Sequence, residues 1–201
     1  MRTTGQELPN KKERRQPIID GGFGPYAYAV LARRTKEYRL EAGQDGGICS
    51  ALGVHGMQTG QLKGMVVGNE DPENPQMGYA HLATTPEEVI TSARSRYSYQ
   101  PNTLVLVEAM KRGVAPLAVV GVPCQVDGVR QQQFSSIRLD VAEWYRQNIK
   151  LVIGLFCSEA FTEKGMDWLA DDLGVSKRDV TNINIKGRLE IKLRDGREET
   201  R

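Results

Sequence analysis

A chain of 201 residues is long enough to bury a core of its own, as one large domain or two small ones. Its 27 basic and 25 acidic residues leave a net charge of +2, so no global field selects nucleic acid as a partner. The apolar runs near 117–122 and 151–157 are too short to cross a bilayer, and no apolar stretch follows Lys11, Lys12, Arg14 and Arg15. Without a membrane span or a secretory signal, the expected location is the cytoplasm.

Residues 1–25 read as a flexible polar arm ending in the hinge Gly21-Gly22-Phe23-Gly24-Pro25. Tyr26 to Ala32 alternates aromatic and small residues, which predicts a strand, and Thr35 to Ala42 predicts a short charged helical or turn segment. The glycines of Gly43-Gln44-Asp45-Gly46-Gly47 then feed a helix start, with Ile48, Leu52 and Met57 at helical spacing and Gly60 as the stop. Such a turn lets backbone amides approach an anionic group at the positive end of the helix dipole. It equally suits a turn needed only for its backbone angles, because no full dinucleotide or P-loop fingerprint is present.

Short strands over 62–68 and 79–83 flank an acidic, proline-containing loop. Thr84-Thr85-Pro86-Glu87-Glu88 is a strong helix start, with a hydroxyl cap, a proline in the first turn and acids near the positive end. That helix is predicted to run to Ser95 and to turn Val89, Ile90 and Ala93 inward. Arg94 to Asn102 is basic and aromatic without a regular period, suited to holding a phosphate and covering a ring, or to a solvated surface loop. Asn102 is predicted to cap a helix that runs to Gly113.

Leu117 to Gly121 is an unbroken apolar run that stops at Val122-Pro123-Cys124-Gln125, the pattern of a buried parallel strand that delivers a side chain to the carboxyl edge of its sheet. Ile149 to Cys157 repeats the plan. The intervening segment is long enough for a right-handed crossover, so Cys124 and Cys157 are expected on one carboxyl edge, where open α/β sheets hold their ligands. Three cysteines at long spacings (Cys49, Cys124 and Cys157) do not make a disulfide framework. They are core thiols, metal or cluster ligands, or a reactive thiol, and neither His55 nor His81 has a recognisable relation to Cys124 that would favour a cysteine–histidine catalyst.

A helix from Phe161 to Leu173, stopped by Gly174, is followed by a Ser176-capped turn and an antiparallel pair that turns at Lys186-Gly187. Asp195-Gly196 signals a further hairpin turn with almost no return strand, which reads as a chain cut short at its carboxyl end. The expected fold is therefore α/β: a mixed, largely parallel sheet with flanking helices and a C-terminal antiparallel hairpin.

Four stretches in this order carry a family resemblance: Gly43 to Gly47; Ser95-Arg96-Tyr97 with Pro101-Asn102; Val122 to Gln125 with Gly128-Val129-Arg130; and Gly154 to Phe161. Together they resemble the beta-subunit family of the coenzyme F420 hydrogenases and dehydrogenases, whose relatives include formate dehydrogenase beta subunits and chlorophyll-type reductases. The resemblance implies a flavoprotein oxidoreductase in which FAD exchanges a hydride with coenzyme F420 and electrons pass through a 4Fe-4S cluster to a hydrogenase, dehydrogenase or reductase partner subunit in a hetero-oligomer. Carried onto this chain, it makes Cys124 and Cys157 cluster ligands. It places Gln44, Asp45, Gly46, Gly47, Arg96, Tyr97, Asn102, Pro123 and Gln125 at the cofactors. Residues 26–112 then form a flavin-binding part and 113–201 an incomplete cluster-binding part, after the 1–25 arm. A 4Fe-4S cluster takes four thiolates, and the family's other pair, a close Cys-x-x-Cys, is expected just beyond this chain. Cys49 stands where relatives usually carry an aliphatic residue and is expected to be a core thiol. The alternative is a truncated, non-catalytic α/β remnant or interaction module without cofactors.

Overall fold

The computed structural model describes residues 18–20, 24–27, 29–35, 46–157, 159–185 and 187–200. The chain divides into two compact units, Met1–Arg33 and Arg34–Arg201. In the first, strands β1 (Ile18–Asp20) and β2 (Gly24–Tyr26) pair antiparallel, with Ile18 opposite Tyr26. Part of the stretch expected as an arm is thus paired strand. The strand expected over 26–32 ends at Tyr26, and the described residues from 29 to 35 carry no regular structure. Val30 and Leu31 are exposed, and an alternating pattern without a partner ladder does not hold a strand. The helical or turn segment expected over 35–42 lies outside the described residues except for Thr35.

The second unit begins with α1 (Ile48–Gln58), β3 (Gly64–Glu70), β4 (Gly78–Ala83), α2 (Pro86–Thr91) and α3 (Asn102–Arg112). It continues through β5 (Leu117–Gly121), α4 (Pro123–Gln133), α5 (Leu139–Asn148) and β6 (Ile149–Gly154). The strands form one sheet in the order β4-β3-β5-β6, with β4 antiparallel to β3 and the other two pairings parallel. Successive side chains of a strand face opposite sides of the sheet. Val66, Leu117 and Val119 accordingly join Leu106, Ala109 and Val129 in one apolar cluster. Met65, Val67, Ala118 and Val120 join Val54 and Val89 in another. Every residue of β5 is buried, which explains its unbroken apolar run.

After the sheet come α6 (Glu163–Leu173), a short 3-10 turn at Lys177–Asp179, and strands β7 (Val180–Ile185), β8 (Leu189–Leu193) and β9 (Glu198–Thr200). The last three form an antiparallel sheet over a third core of Met166, Leu169, Val180, Ile183, Ile191 and Leu193. The expected hairpin therefore gains a third strand, in which Glu198, Glu199 and Thr200 pair with Lys192, Ile191 and Glu190.

Three local expectations are corrected. The buried face of α1 is Ala51, Gly53, Val54 and Gly56, whereas Leu52 is exposed. A Cβ at Gly53 would overlap Met65 Sδ and one at Gly56 would overlap Leu62 Cδ1, so the helix lies close on the sheet along its glycines. Helix α2 stops at Thr91 instead of Ser95, and three residues later Arg94 takes a left-handed φ of 101°. Asn102 caps nothing: it is the first residue of α3, and its buried side chain turns toward β5.

Candidate functional site

The two cysteine-bearing segments leave adjacent parallel strands in register. Gly121 pairs with Gly154, and the Leu155 N–H donates to the Gly121 carbonyl at 2.9 Å. Cys124 and Cys157 each follow their paired glycine by three residues, and both are exposed. Cys124 lies in the first turn of α4 behind Pro123, where the missing N–H costs no helical bond. Cys157 lies in the irregular segment after β6, and its thiol donates to the Glu159 carbonyl at 3.6 Å. The expected shared carboxyl edge is present.

Cys49 is set apart by its packing. It sits in the first turn of α1, packs against the second apolar cluster, and burial pushes its thiol pKa up to about 11. Among the described residues no group of three or more His, Cys, Asp and Glu side chains gathers to hold a metal ion. Two thiols at the edge are half of a four-thiolate cage. A whole 4Fe-4S cluster does not fit the described residues of this chain by themselves.

A strap over residues 94–102 crosses the same edge. Gly68 of β3 and Gly78 of β4 lie where a Cβ would overlap the Gln100 amide, so the two glycines make the notch that seats Gln100. Asn102 Nδ2 donates to the Val120 carbonyl at 3.0 Å, while its buried Oδ1 has no hydrogen-bond partner. Gln125 ties the strap to the Cys124 turn, its Nε2 donating to the Gln100 carbonyl at 2.5 Å. On the other side, the Phe161 N–H donates to the Tyr97 carbonyl at 2.5 Å and Ser98 bridges to Phe161. Both cysteine-bearing segments are thus hydrogen-bonded to one strap.

Arg96 belongs to that strap, with only 4% of its side chain exposed. Its Nη1 donates to the Ser92 and Arg94 carbonyls and its Nη2 to Glu70 Oε2 at 3.3 Å, whereas its buried Nε has no partner. Burial lowers the guanidinium pKa and Glu70 partly restores it. Tyr97 packs against the third core, with its ring 6.5 Å from that of Phe161 and its hydroxyl accepting from the Ile185 N–H at 3.3 Å. The solvated-loop alternative for these two residues is replaced by an anchored segment.

The start of α1 faces the same way. Gly56 packs on Leu62 and Gly53 on Met65, so the helix runs antiparallel to β3 and begins toward the carboxyl edge. Gly47, at φ 67°, occupies its N-cap without a side-chain cap bond, leaving the first-turn amides open to an acceptor. Gln44 and Asp45 lie outside the described residues. Sequence reasoning missed the roles of Gln100, Ser98 and Phe161; the glycines at 68 and 78 that seat Gln100 carry no periodic signal in the sequence. A concavity of about 590 Å³, lined by Asp71, Glu73, Met77, Glu163, Lys177 and Arg178 among others, contains none of the expected site residues.

Comparison with known proteins gives these segments a context. Residues 29–107 match a protein-family model described as coenzyme F420 hydrogenase/dehydrogenase, beta subunit N-term, and residues 114–201 match its C-terminus counterpart. The coenzyme F420 hydrogenase subunit beta of Methanococcus voltae is 33% identical over 165 residues, covering 81% of this chain and 57% of that protein. The corresponding subunit of Methanosarcina barkeri is 34% identical over 157 residues, covering 77% of this chain and 52% of that protein. In solved form, a chain of the F420-reducing NiFe hydrogenase complex from Methanosarcina barkeri superposes with a TM-score of 0.74 at 30% identity, over 84% of this chain and 57% of that one. The chain thus spans little more than half the length of these relatives. With both parts of one family matched in order across most of its length, the chain belongs to the coenzyme F420 hydrogenase/dehydrogenase beta-subunit family.

Proposed function

We propose that this chain is part of an F420-linked oxidoreductase subunit that holds FAD at the carboxyl edge of its sheet, with Cys124 and Cys157 as two ligands of a 4Fe-4S cluster. The observation that supports it most directly is the pairing of Gly121 with Gly154, which sets two exposed thiols at equal offsets beyond adjacent strands. The bound flavin would take a hydride as an electron pair and release electrons singly, chemistry that no side chain supplies. The chain's own part is to hold and orient. The α1 start at Gly46-Gly47 offers backbone N–H groups to an anionic part of the cofactor. Arg96 supplies buried positive charge from within the strap, and Tyr97, Asn102, Pro123 and Gln125 fix the strap and the cysteine turn that border the flavin. Gln44 and Asp45, outside the described residues, are assigned to the same cofactor by the family resemblance alone. On this reading residues 26–112 carry the flavin side and 113–201 the cluster side, with the other two thiolates coming from outside the described residues.

The partner is a hydrogenase-type or other redox subunit in a hetero-oligomer. The test is anaerobic reconstitution of the protein with FAD, iron and sulfide, followed by addition of reduced F420. Flavin bands and flavin bleaching by reduced F420 are expected, together with a broad sulfide-to-iron absorption when an added thiol supplies the two missing ligands, lost in the Cys124→Ser and Cys157→Ser variants. A colourless protein that binds neither group overturns the proposal and leaves a non-catalytic α/β module.

A further inference from the structure

We infer that Gln125 is a positioning residue that clamps the Cys124 turn to the 94–102 strap and thereby sets the access of the Cys124 thiol. Gln125 is the third residue of α4, and both ends of its amide are engaged. Its Oε1 accepts from the Val122 N–H at 3.1 Å, and its Nε2 donates to the Gln100 carbonyl at 2.5 Å. The first bond is half of a capping box, and Val122 has no side-chain oxygen to supply the other half. The turn that carries Cys124 is therefore closed by Gln125 in place of the missing cap. The second bond fixes that turn to a carbonyl that also accepts from the Asn102 N–H at 2.9 Å.

Both neighbours are shaped for this grip. A Cβ at Gly121 would come within 3.0 Å of Gln125 Cβ and Oε1, so the strand ends in the one residue that leaves room for the Gln125 stem. Gln100, whose carbonyl is the acceptor, is seated in the notch of Gly68 and Gly78. Glutamate at 125 would keep the acceptor and lose the donor, and methionine would keep the length and lose both. The value of the grip to a cluster rests on the function proposed above, but the grip itself is measurable on free thiols.

The test uses the full chain, reduced and metal-free. Alkylation by iodoacetamide is followed separately at Cys124, Cys157 and Cys49 by peptide mass spectrometry, beside thermal unfolding, for the native protein and the Gln125→Met and Gln125→Glu variants. Gln125→Met is expected to change the Cys124 rate about fivefold, the shift that accompanies loss of a hydrogen bond, with Cys157 and Cys49 unchanged. Hydrogen exchange supplies the second readout: Gln125→Glu keeps the acceptor for the Val122 N–H and is expected to leave exchange at that amide near native, whereas Gln125→Met speeds it about fivefold. A merely structural residue gives no such split between the two variants, so Gln125→Glu beside the native protein decides the question even if Gln125→Met fails to fold. A native Cys124 rate in both variants, or parallel acceleration of all three cysteines, overturns the inference. Failure to bind FAD or iron overturns the function instead and leaves the thiol ratios intact.

Discussion

Glu88 closes the first turn of α2 on itself: its Oε2 accepts from the Thr84 and Thr85 N–H groups, while Thr85 Oγ1 accepts from the Glu88 N–H. Replacing Thr85 by Ala should cost about 1 kcal/mol, measured by urea unfolding. The Thr84 N–H bond, ahead of the other causes, holds the Glu88 pKa below the usual carboxylate value. A depressed folded pKa means stability that is present above the unfolded pKa and lost as the pH falls through the folded one. Glu88→Gln should therefore lower stability at neutral pH, flatten the acid limb of the urea-unfolding profile and leave stability at the lowest pH least affected. Cys49 should be alkylated last of the three cysteines at neutral pH, because burial holds it as a thiol. The α2 cap was legible because its chemistry is local. Asn102 was not, since its partner is the Val120 carbonyl 18 residues further along the chain, and Asn102→Ala should cost about 1–3 kcal/mol by leaving that carbonyl unpaired.

Between β3 and β4, glycine is used to admit a third element. A Cβ at Gly78 would overlap the Gln100 amide and come within 2.6 Å of the Asn69 carbonyl. A flexible amide can move aside, but a carbonyl in a paired strand cannot. Gly78→Ala should therefore destabilise the protein by about 1–3 kcal/mol in denaturant unfolding. The same glycines were silent in the sequence, because periodicity counts apolar side chains and assigns no meaning to a missing one. The α2 overshoot has a related origin: Thr91 to Ser95 contains no glycine or proline, and only the backbone reversal at Arg94 ends the helical course. In contrast β5, buried on both faces, announced itself as an apolar run.

Across the whole molecule, the four-stranded sheet takes β3 and β4 from before residue 113 and β5 and β6 from after it. β5 pairs on both sides, so separating 34–112 from 113–201 strips its hydrogen bonds along one edge. The two pieces are expected to lack a cooperative unfolding transition when separate and to regain one when co-expressed, as circular dichroism would report. The alternation of strands and helices made this architecture readable. β9 and the β1–β2 pair are three-residue strands whose existence depends on a partner, which no periodicity over so short a run can reveal. The shared rung at Gly121 and Gly154 has a further consequence for how this chain can change. The spacing of the two thiols is inherited from a backbone ladder, so lengthening the exposed connection at Ser136-Ile137 leaves it untouched. One residue added between Gly154 and Cys157 would shift it at once. The turn between α4 and α5 is free to drift in length, while two three-residue tails carry the tolerance of the pair.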